Sequence, residues 1–430
     1  MKILHVMPYC PVPAAFGGAL RIYHLLRYLV DRHDVSVISY GTEEDLRRMH
    51  ERFQGKVRNI HMIPSPWTTR FRRLGQLYAL GTSRSFLQLL AYRRTMQQLV
   101  DRVAGDGCFD VVQTEFPMMA SFTRSVDAVK ILDAHNVEYE NFRKMWVNAR
   151  SPIRKFHYYR EYRTMYDEEI AACRSHDAVF VTSSCDREIF DSDVPEIPKY
   201  VIPNGVDCSY FFPSGRQPER NALVFTGMMA YVPNYDGMIH FLDHSFPLIR
   251  RHVPDVKIYI VGNRPPLELR RRASGSVIIT GYVDDVRPYI ERASVYVVPL
   301  RMGSGTRLKV LEAMAMKKPI VTTSIGCEGI DVRHGESVFI EDDPHAFAGR
   351  VVEILKDPER ARVPVERGYE LVRLRYEWSA IGNSVGEAYQ RIFESGRRGS
   401  RQRSVHGRSP VVTSANPDDA VIGKEPIYVS

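Results

Sequence analysis

PLRMGSGTRLKVLEAMAMKKPIVTT, residues 299–323, joins an apolar run to a glycine-rich basic loop and that loop to a helix. Leu308, Leu311, Met314 and Ala315 fall on one helical stripe. Lys317 and Lys318 close the helix ahead of Pro319, where the macrodipole favours cations and proline stops the pattern. Residues 320–323 then read as a buried strand. A strand, a loop of small residues and a helix N-terminus make a cradle for an anion, because the backbone can approach it and the first helical N–H groups point at it. Arg307 and Lys309 add charge there, Arg307 with a fork suited to two oxygens. Glu312, read as two turns into the helix, stands where a carboxylate accepts from ribose hydroxyls. The segment reads as a site for a nucleoside diphosphate group.

Outward from this segment the chain alternates strands and helices. Residues 2–7 form a strand, Phe16-Gly17-Gly18 a turn, 19–30 an amphipathic helix and 35–39 a second strand. Strands follow at 111–114, 129–132, 179–182 and 200–202. After Pro203-Asn204-Gly205 the pattern restarts, with strands at 222–226, 257–261, 277–280, 295–299 and 320–322. The expected fold class is α/β, with two Rossmann-like domains of doubly wound parallel sheet. Domains are read at 1–203 and 204–376, with a closing helix at 377–395. The arginine-rich, aperiodic residues 396–430 read as a disordered basic tail.

Composition fits a soluble two-domain enzyme: 430 residues exceed what one core usually serves, with 44% hydrophobic and 26% charged residues. No run is long and apolar enough to read as a membrane span or signal peptide. The six cysteines lie at no ligand spacing and read as reduced core residues of a cytosolic protein. The net charge is +8, yet between Lys56 and Val100 there is no acidic residue. Basic residues there interleave with Trp67, Phe71, Tyr78, Phe86 and Tyr92, a composition suited to a membrane surface rather than to nucleic acid, for which no motif is present. The pairs Asp284-Asp285 and Asp342-Asp343 read as helix N-terminal acids rather than metal ligands.

The 299–323 segment resembles the sugar-nucleotide signature of group 1 retaining glycosyltransferases, closest to the branch of PEP-CTERM/EpsH-type exopolysaccharide sugar transferases. HNVEYENF from His135, VIPNGVD from Val201, FTGMMAYVPNYDG from Phe225 and GYVDDVRPYI from Gly281 extend the likeness over most of the chain. The resemblance implies a GT-B fold with an interdomain cleft and a final helix crossing back to the first domain. It implies transfer from a nucleoside-diphosphate-sugar to a glycan or polyprenyl-diphosphate-linked acceptor, with retention, no metal and no other cofactor. It further implies a cytoplasmic protein, peripheral at the membrane through residues 56–100. His135, emerging at a strand's carboxyl end, is matched to the family histidine that contacts the transferred sugar; Arg307, Lys309 and Glu312 complete the catalytic set. Donor contacts fall on Gly17, Gly18, Gly227, Asn234, Gly303, Ser304, Gly305, Thr306 and Leu311, together with that basic and acidic set. Acceptor contacts fall on Asp133, Asn136 and Glu138.

Two departures stand out. The family's paired glutamates would fall at Ser304 and Glu312, and Ser304 carries no carboxylate. The family's Arg and Lys after the first strand of the second domain are replaced here by Met228 and its neighbours, which leaves the phosphate charge to Arg307 and Lys309. Rival readings are a non-catalytic transferase-like subunit, a sugar-nucleotide epimerase, for which no cleft carboxylate set is evident, and a nicotinamide dehydrogenase, for which no GxGxxG is present.

Overall fold

A computed structural model describes residues 1–405, apart from Ala15, 66–81, Ser83, Arg150 and Ser304; for 397–405 it describes the backbone alone. The chain folds as two parallel sheets. The first contains β1 (Lys2–Met7), β2 (Asp34–Tyr40), β3 (Asn59–Ile63), β4 (Val111–Glu115), β5 (Val129–Ala134), β6 (Ala178–Val181) and β7 (Lys199–Val201), in the order β3-β2-β1-β4-β5-β6-β7. The second contains β8 (Ala222–Thr226), β9 (Lys257–Val261), β10 (Val277–Gly281), β11 (Val295–Val298), β12 (Ile320–Thr322) and β13 (Phe339–Ile340), in the order β10-β9-β8-β11-β12-β13. Helices cover both faces of each sheet, so central strands such as β11, VYVV, are buried throughout and read as continuous apolar runs. Strand order reverses between β1 and β4 and again between β8 and β11. At these switch points the connecting chains diverge to opposite faces and leave a crevice at the carboxyl ends of the strands.

The sequence reading located eleven strands and missed β3 and β13. β3 lies inside the basic stretch and β13 has two residues, so neither carries a periodic signal. Gly17 and Gly18, expected in a turn, are the first two residues of the helix Gly17–Val30. Of the cysteines, Cys173 and Cys327 are buried as expected, whereas Cys108 and Cys185 are exposed.

The last helix, Trp378–Val405, inserts Trp378, Ile381, Val385, Ala388, Tyr389 and Ile392 into the core of the first sheet. Those positions repeat every three or four residues, the spacing of one helical face. A Cβ on Gly382 or Gly386 would overlap Tyr28, so glycine allows this close approach to the helix Gly17–Val30. The helix continues ten residues into the stretch read as a disordered tail; Arg and Gln are good helix formers, and an established helix extends more easily than it nucleates. Residues 406–430 lie outside the described residues.

Candidate active site

The second domain contributes the loop after β11. Gly303 (φ +123°) and Gly305 (φ +76°) turn it through the left-handed region, which leads into the helix Leu308–Ala315. Arg307 occupies the residue before that helix and is only 7% exposed. Its Nε donates to Ile325 O at 3.2 Å and its guanidinium lies 3.7 Å from the Glu328 carboxylate. A Cβ on Gly303 would sit 3.1 Å from Arg307 Nη2, so the glycine leaves room for the guanidinium under the loop.

Lys309 points across the helix end toward β8. Its Nζ donates to Asn234 Oδ1 at 2.8 Å and lies 4.1 Å from the centre of the Phe225 ring. Asn234 in turn donates to Met228 O at 2.9 Å. Gly227 (φ +151°) follows β8, and a Cβ there would stand 2.7 Å from Lys309 Nζ. Gly227, Asn234 and Lys309, expected at the donor, thus converge on one point. Burial pushes the Lys309 ammonium down to about 7, helped by the Arg307 charge and opposed by Glu312. Burial pushes the Glu312 carboxyl up to about 7, against the pull of Lys309. Glu312 is the fifth residue of the helix, one turn in rather than two. Leu311 is fully buried in the second-domain core, because the helix stripe that carries it faces the sheet; its side chain cannot reach a donor. The Thr306 hydroxyl is buried beside the loop and has no hydrogen-bond partner among the described residues. Ser304 lies outside the described residues.

The first domain contributes the carboxyl ends of β1, β4 and β5. Glu115, the last residue of β4, is wholly buried and accepts from His5 Nε2, from His135 Nε2 at 2.6 Å and from Gln113 Nε2 at 2.6 Å. Tyr389 of the last helix donates to Gln113 Oε1, tying that helix into the same chain of bonds. Burial alone would raise the Glu115 carboxyl, but the charge of His5 and the hydrogen bonds from both imidazoles outweigh it and hold Glu115 below its ordinary value. Phe116, at the unusual φ of +68°, stacks on the His135 ring at 3.8 Å. His135 is 5% exposed, at the end of β5 as expected. A Cβ on Gly18 would overlap Tyr9 Oη and stand 3.5 Å from His135 Nδ1, so this glycine keeps space in front of the imidazole. Glu115, Phe116 and Tyr9 escaped the sequence reading; the acid closing the run VVQTE at a strand's carboxyl end was the available signal for the first.

Asp133 corrects an expectation. It is fully buried and held by Arg21, whose Nε and Nη2 reach its oxygens at 2.9–3.1 Å. Its side chain points into the domain because it must meet that guanidinium, and it cannot touch an acceptor. Asp133, Glu115 and His135 bring ligand-type atoms within 4.8 Å of one another, but Arg21 and the two imidazoles already occupy both carboxylates, so the trio does not form an open set of metal ligands. Asp343 caps the helix Pro344–Lys356, accepting from His345 N and Ala346 N at 2.9 Å; Asp285, one residue ahead of the N-cap of the helix Arg287–Arg292, accepts from Arg287 N at 2.9 Å, and Asp342 instead holds Ser324.

The two halves meet. Asn136 Oδ1 presses on Gly305, where a Cβ would overlap it; Leu308 Cδ1 lies 3.4 Å from the Cβ position of Gly17. Lys144 pairs with Glu328 at 2.9 Å across the same boundary. Asn136 also donates to Glu138 at 3.2 Å. His135 and the Gly303–Gly305 loop, far apart in sequence, therefore face one cleft.

This is the arrangement of a GT-B enzyme, and comparisons with known proteins agree. Residues 220–357 match the family model "Glycosyl transferases group 1" and residues 17–210 match "Glycosyltransferase Family 4". The fold is similar to sucrose-phosphate synthase from Thermosynechococcus elongatus (TM-score 0.66, 16% identity, covering 92% of this chain and 100% of that one). It is similar also to Anabaena HepE in complex with UDP (TM-score 0.65, 14% identity, 91% and 100%). By sequence, the chain is 24% identical to an uncharacterized 44.6 kDa protein in the cps region of Klebsiella pneumoniae, over 89% of this chain and 98% of that protein. It is 28% identical to phosphatidyl-myo-inositol mannosyltransferase of Mycobacterium tuberculosis, over 46% of this chain and 55% of that protein, so the match spans about half the mannosyltransferase. The protein is a glycosyltransferase whose second domain matches group 1, which sets aside the epimerase and dehydrogenase readings. Among the described residues no helix is long and apolar enough to cross a membrane.

Proposed function

We propose that the protein transfers a sugar from a nucleoside-diphosphate-sugar to a glycan or lipid-linked acceptor, with retention of configuration, in building a surface or exopolysaccharide. The observation that carries this is the convergence of Lys309, Asn234 and Gly227 at the start of the helix Leu308–Ala315, opposite His135. The cps-region relative supports the polysaccharide role. As the C1–O bond to the diphosphate breaks, charge grows on the leaving oxygen. Lys309, Arg307 and the first helical N–H groups stabilise it, so the reading gives this duty to the protein's own groups rather than to a metal. The acceptor oxygen bonds to C1 from the same face, and its proton passes to the leaving diphosphate. Glu312 accepts from the ribose.

His135 is positioned for a defined role. An ionised Glu115 only accepts hydrogen bonds, so His135 Nε2 carries its proton and Nδ1, on the Gly18 side, is presented to a hydroxyl of the transferred sugar. A glutamine at 115 can donate its amide to Nε2 and reverse the tautomer. Glu115→Gln is expected to lower kcat about ten- to hundredfold, the scale on which an orienting partner acts on a histidine. Nitrogen-15 spectra of His135 should show the swap; an unchanged tautomer with unchanged kcat contradicts the role.

The reading itself is tested by a thermal-shift screen against UDP, GDP, ADP and CMP and their sugar conjugates. One nucleotide should raise the melting temperature, and Glu312→Gln should diminish that rise while leaving the unliganded melting temperature nearly unchanged. No response to any of them contradicts a donor site.

A further inference from the structure

The helices Glu138–Asn148 and Pro152–Arg174 form an antiparallel hairpin whose tip lies near Ser151. Trp146 packs between Tyr159 at 5.0 Å and Tyr162 at 6.1 Å, which fixes the two helices against each other. Yet four apolar side chains at the tip face solvent: Ile153 is 83% exposed, Phe156 67%, Val147 59% and Met145 49%. Scattered single apolar residues on a surface are ordinary, but a cluster of this kind marks a contact. No acidic residue occurs between Glu140 and Glu161. Arg154 and Lys155, flanked by Ile153 and Phe156, are exposed and have no ion-pair partner among the described residues. Arg143 and Lys144, nearer the cleft, are already paired with Glu140 and Glu328.

We propose that this hairpin tip docks on an anionic membrane surface and sets the cleft above it to receive a lipid-linked acceptor. Ile153, Phe156, Val147 and Met145 enter the boundary of the acyl chains, while Arg154 and Lys155 lie among the headgroup phosphates. A nucleic acid would match the charge and could stack a base on Phe156, but it offers no apolar phase for Ile153, Val147 and Met145. In the described part of the segment earlier expected to touch the membrane, 56–100, Lys56 and Arg58 are paired with Asp31 and Asp34, while Arg84, Arg93 and Arg94 are exposed and in no ion pair among the described residues. Residues 66–81 of that segment lie outside the described residues. The hairpin is also tied to the site. The helix Glu138–Asn148 starts three residues after His135, carries Lys144 to Glu328, and its 11 residues span about 16 Å. An acceptor whose lipid stays in the bilayer could thus present its head to His135. This inference rests on the glycosyltransferase reading above and names the acceptor class within it.

The test is flotation of the full chain with phosphatidylcholine vesicles containing about one-third phosphatidylglycerol, against phosphatidylcholine alone, compared with the double variant Ile153→Glu/Phe156→Glu. The wild type should float with the anionic vesicles, less so at high salt. The double variant should partition roughly tenfold less or weaker still, with its melting temperature and its nucleotide-induced shift unchanged. Absence of flotation overturns the proposal. So does equal flotation of the double variant, which would put the contact elsewhere. A changed oligomeric state by light scattering would show that a second copy covers the patch, and a lowered melting temperature that the chain's own residues do; either overturns it. The nucleotide screen uses no vesicles, so failure of the docking surface and failure of the donor site are told apart.

Discussion

Lys309→Ala lowers kcat/KM for sugar transfer by roughly two to three orders of magnitude, the loss that follows removal of one preorganised charge from a site where negative charge develops. The side chain is half-buried over Phe225 and hydrogen-bonded to Asn234, so it needs no reorganisation to meet a diphosphate. The same burial that depresses its ammonium to about 7 makes it sensitive to pH. Diphosphate binding favours the charged lysine, so affinity should fall as pH rises above about 7, close to tenfold per unit until the lysine of the complex itself titrates. Glu312, raised to about 7, must lose its proton to accept from ribose, so affinity should fall on the acid side too. Lys309→Arg, whose guanidinium stays charged, should remove the alkaline limb alone. Effects on folding run the other way. A depressed lysine contributes stability above its ordinary pKa that is lost as pH falls through about 7, so at neutral pH the buried ammonium is a cost to the unliganded fold. Lys309→Ala should therefore lose activity without a comparable loss of melting temperature.

Asp133→Ala destabilises the first domain by about 3–5 kcal/mol, because it leaves the Arg21 guanidinium buried without its carboxylate. Both side chains are fully buried. Arg21 also donates through Nη1 to Ile202 O at 2.7 Å and Pro203 O at 3.2 Å, so the pair holds the end of the first domain where the chain leaves for the second. Chemical denaturation of wild type and variant measures the loss. A variant with full stability and a raised KM for acceptor would instead restore the acceptor role expected from sequence.

What was legible in the sequence, and what was not, follows from physical signals. β1, β8 and β11 are mostly apolar runs, buried on both faces except at Lys2, and such runs announce a parallel sheet. The loop at Gly303 and Gly305 was readable because both glycines adopt backbone angles that other residues avoid. Lys309 and Asn234, both assigned to the donor from sequence, are hydrogen-bonded to each other. Leu311 misled because membership of a motif does not say which face of a helix a side chain takes. Asp133 misled because the feature that decides its role, Arg21, stands 112 positions away in the chain. Glu115 was missed for the same reason: only the fold brings β1, β4 and β5 together, so that one carboxylate meets two histidines.

The central claim is that the helix Leu308–Ala315, with Lys309, cradles a diphosphate. Calorimetric titration of the nucleotide that wins the screen, as its diphosphate and as its monophosphate, tests this most directly. The diphosphate should bind at least about tenfold more tightly to the wild type, and that preference should vanish in Lys309→Ala. Equal binding of the two by the wild type, or a preference that survives the substitution, would contradict the account.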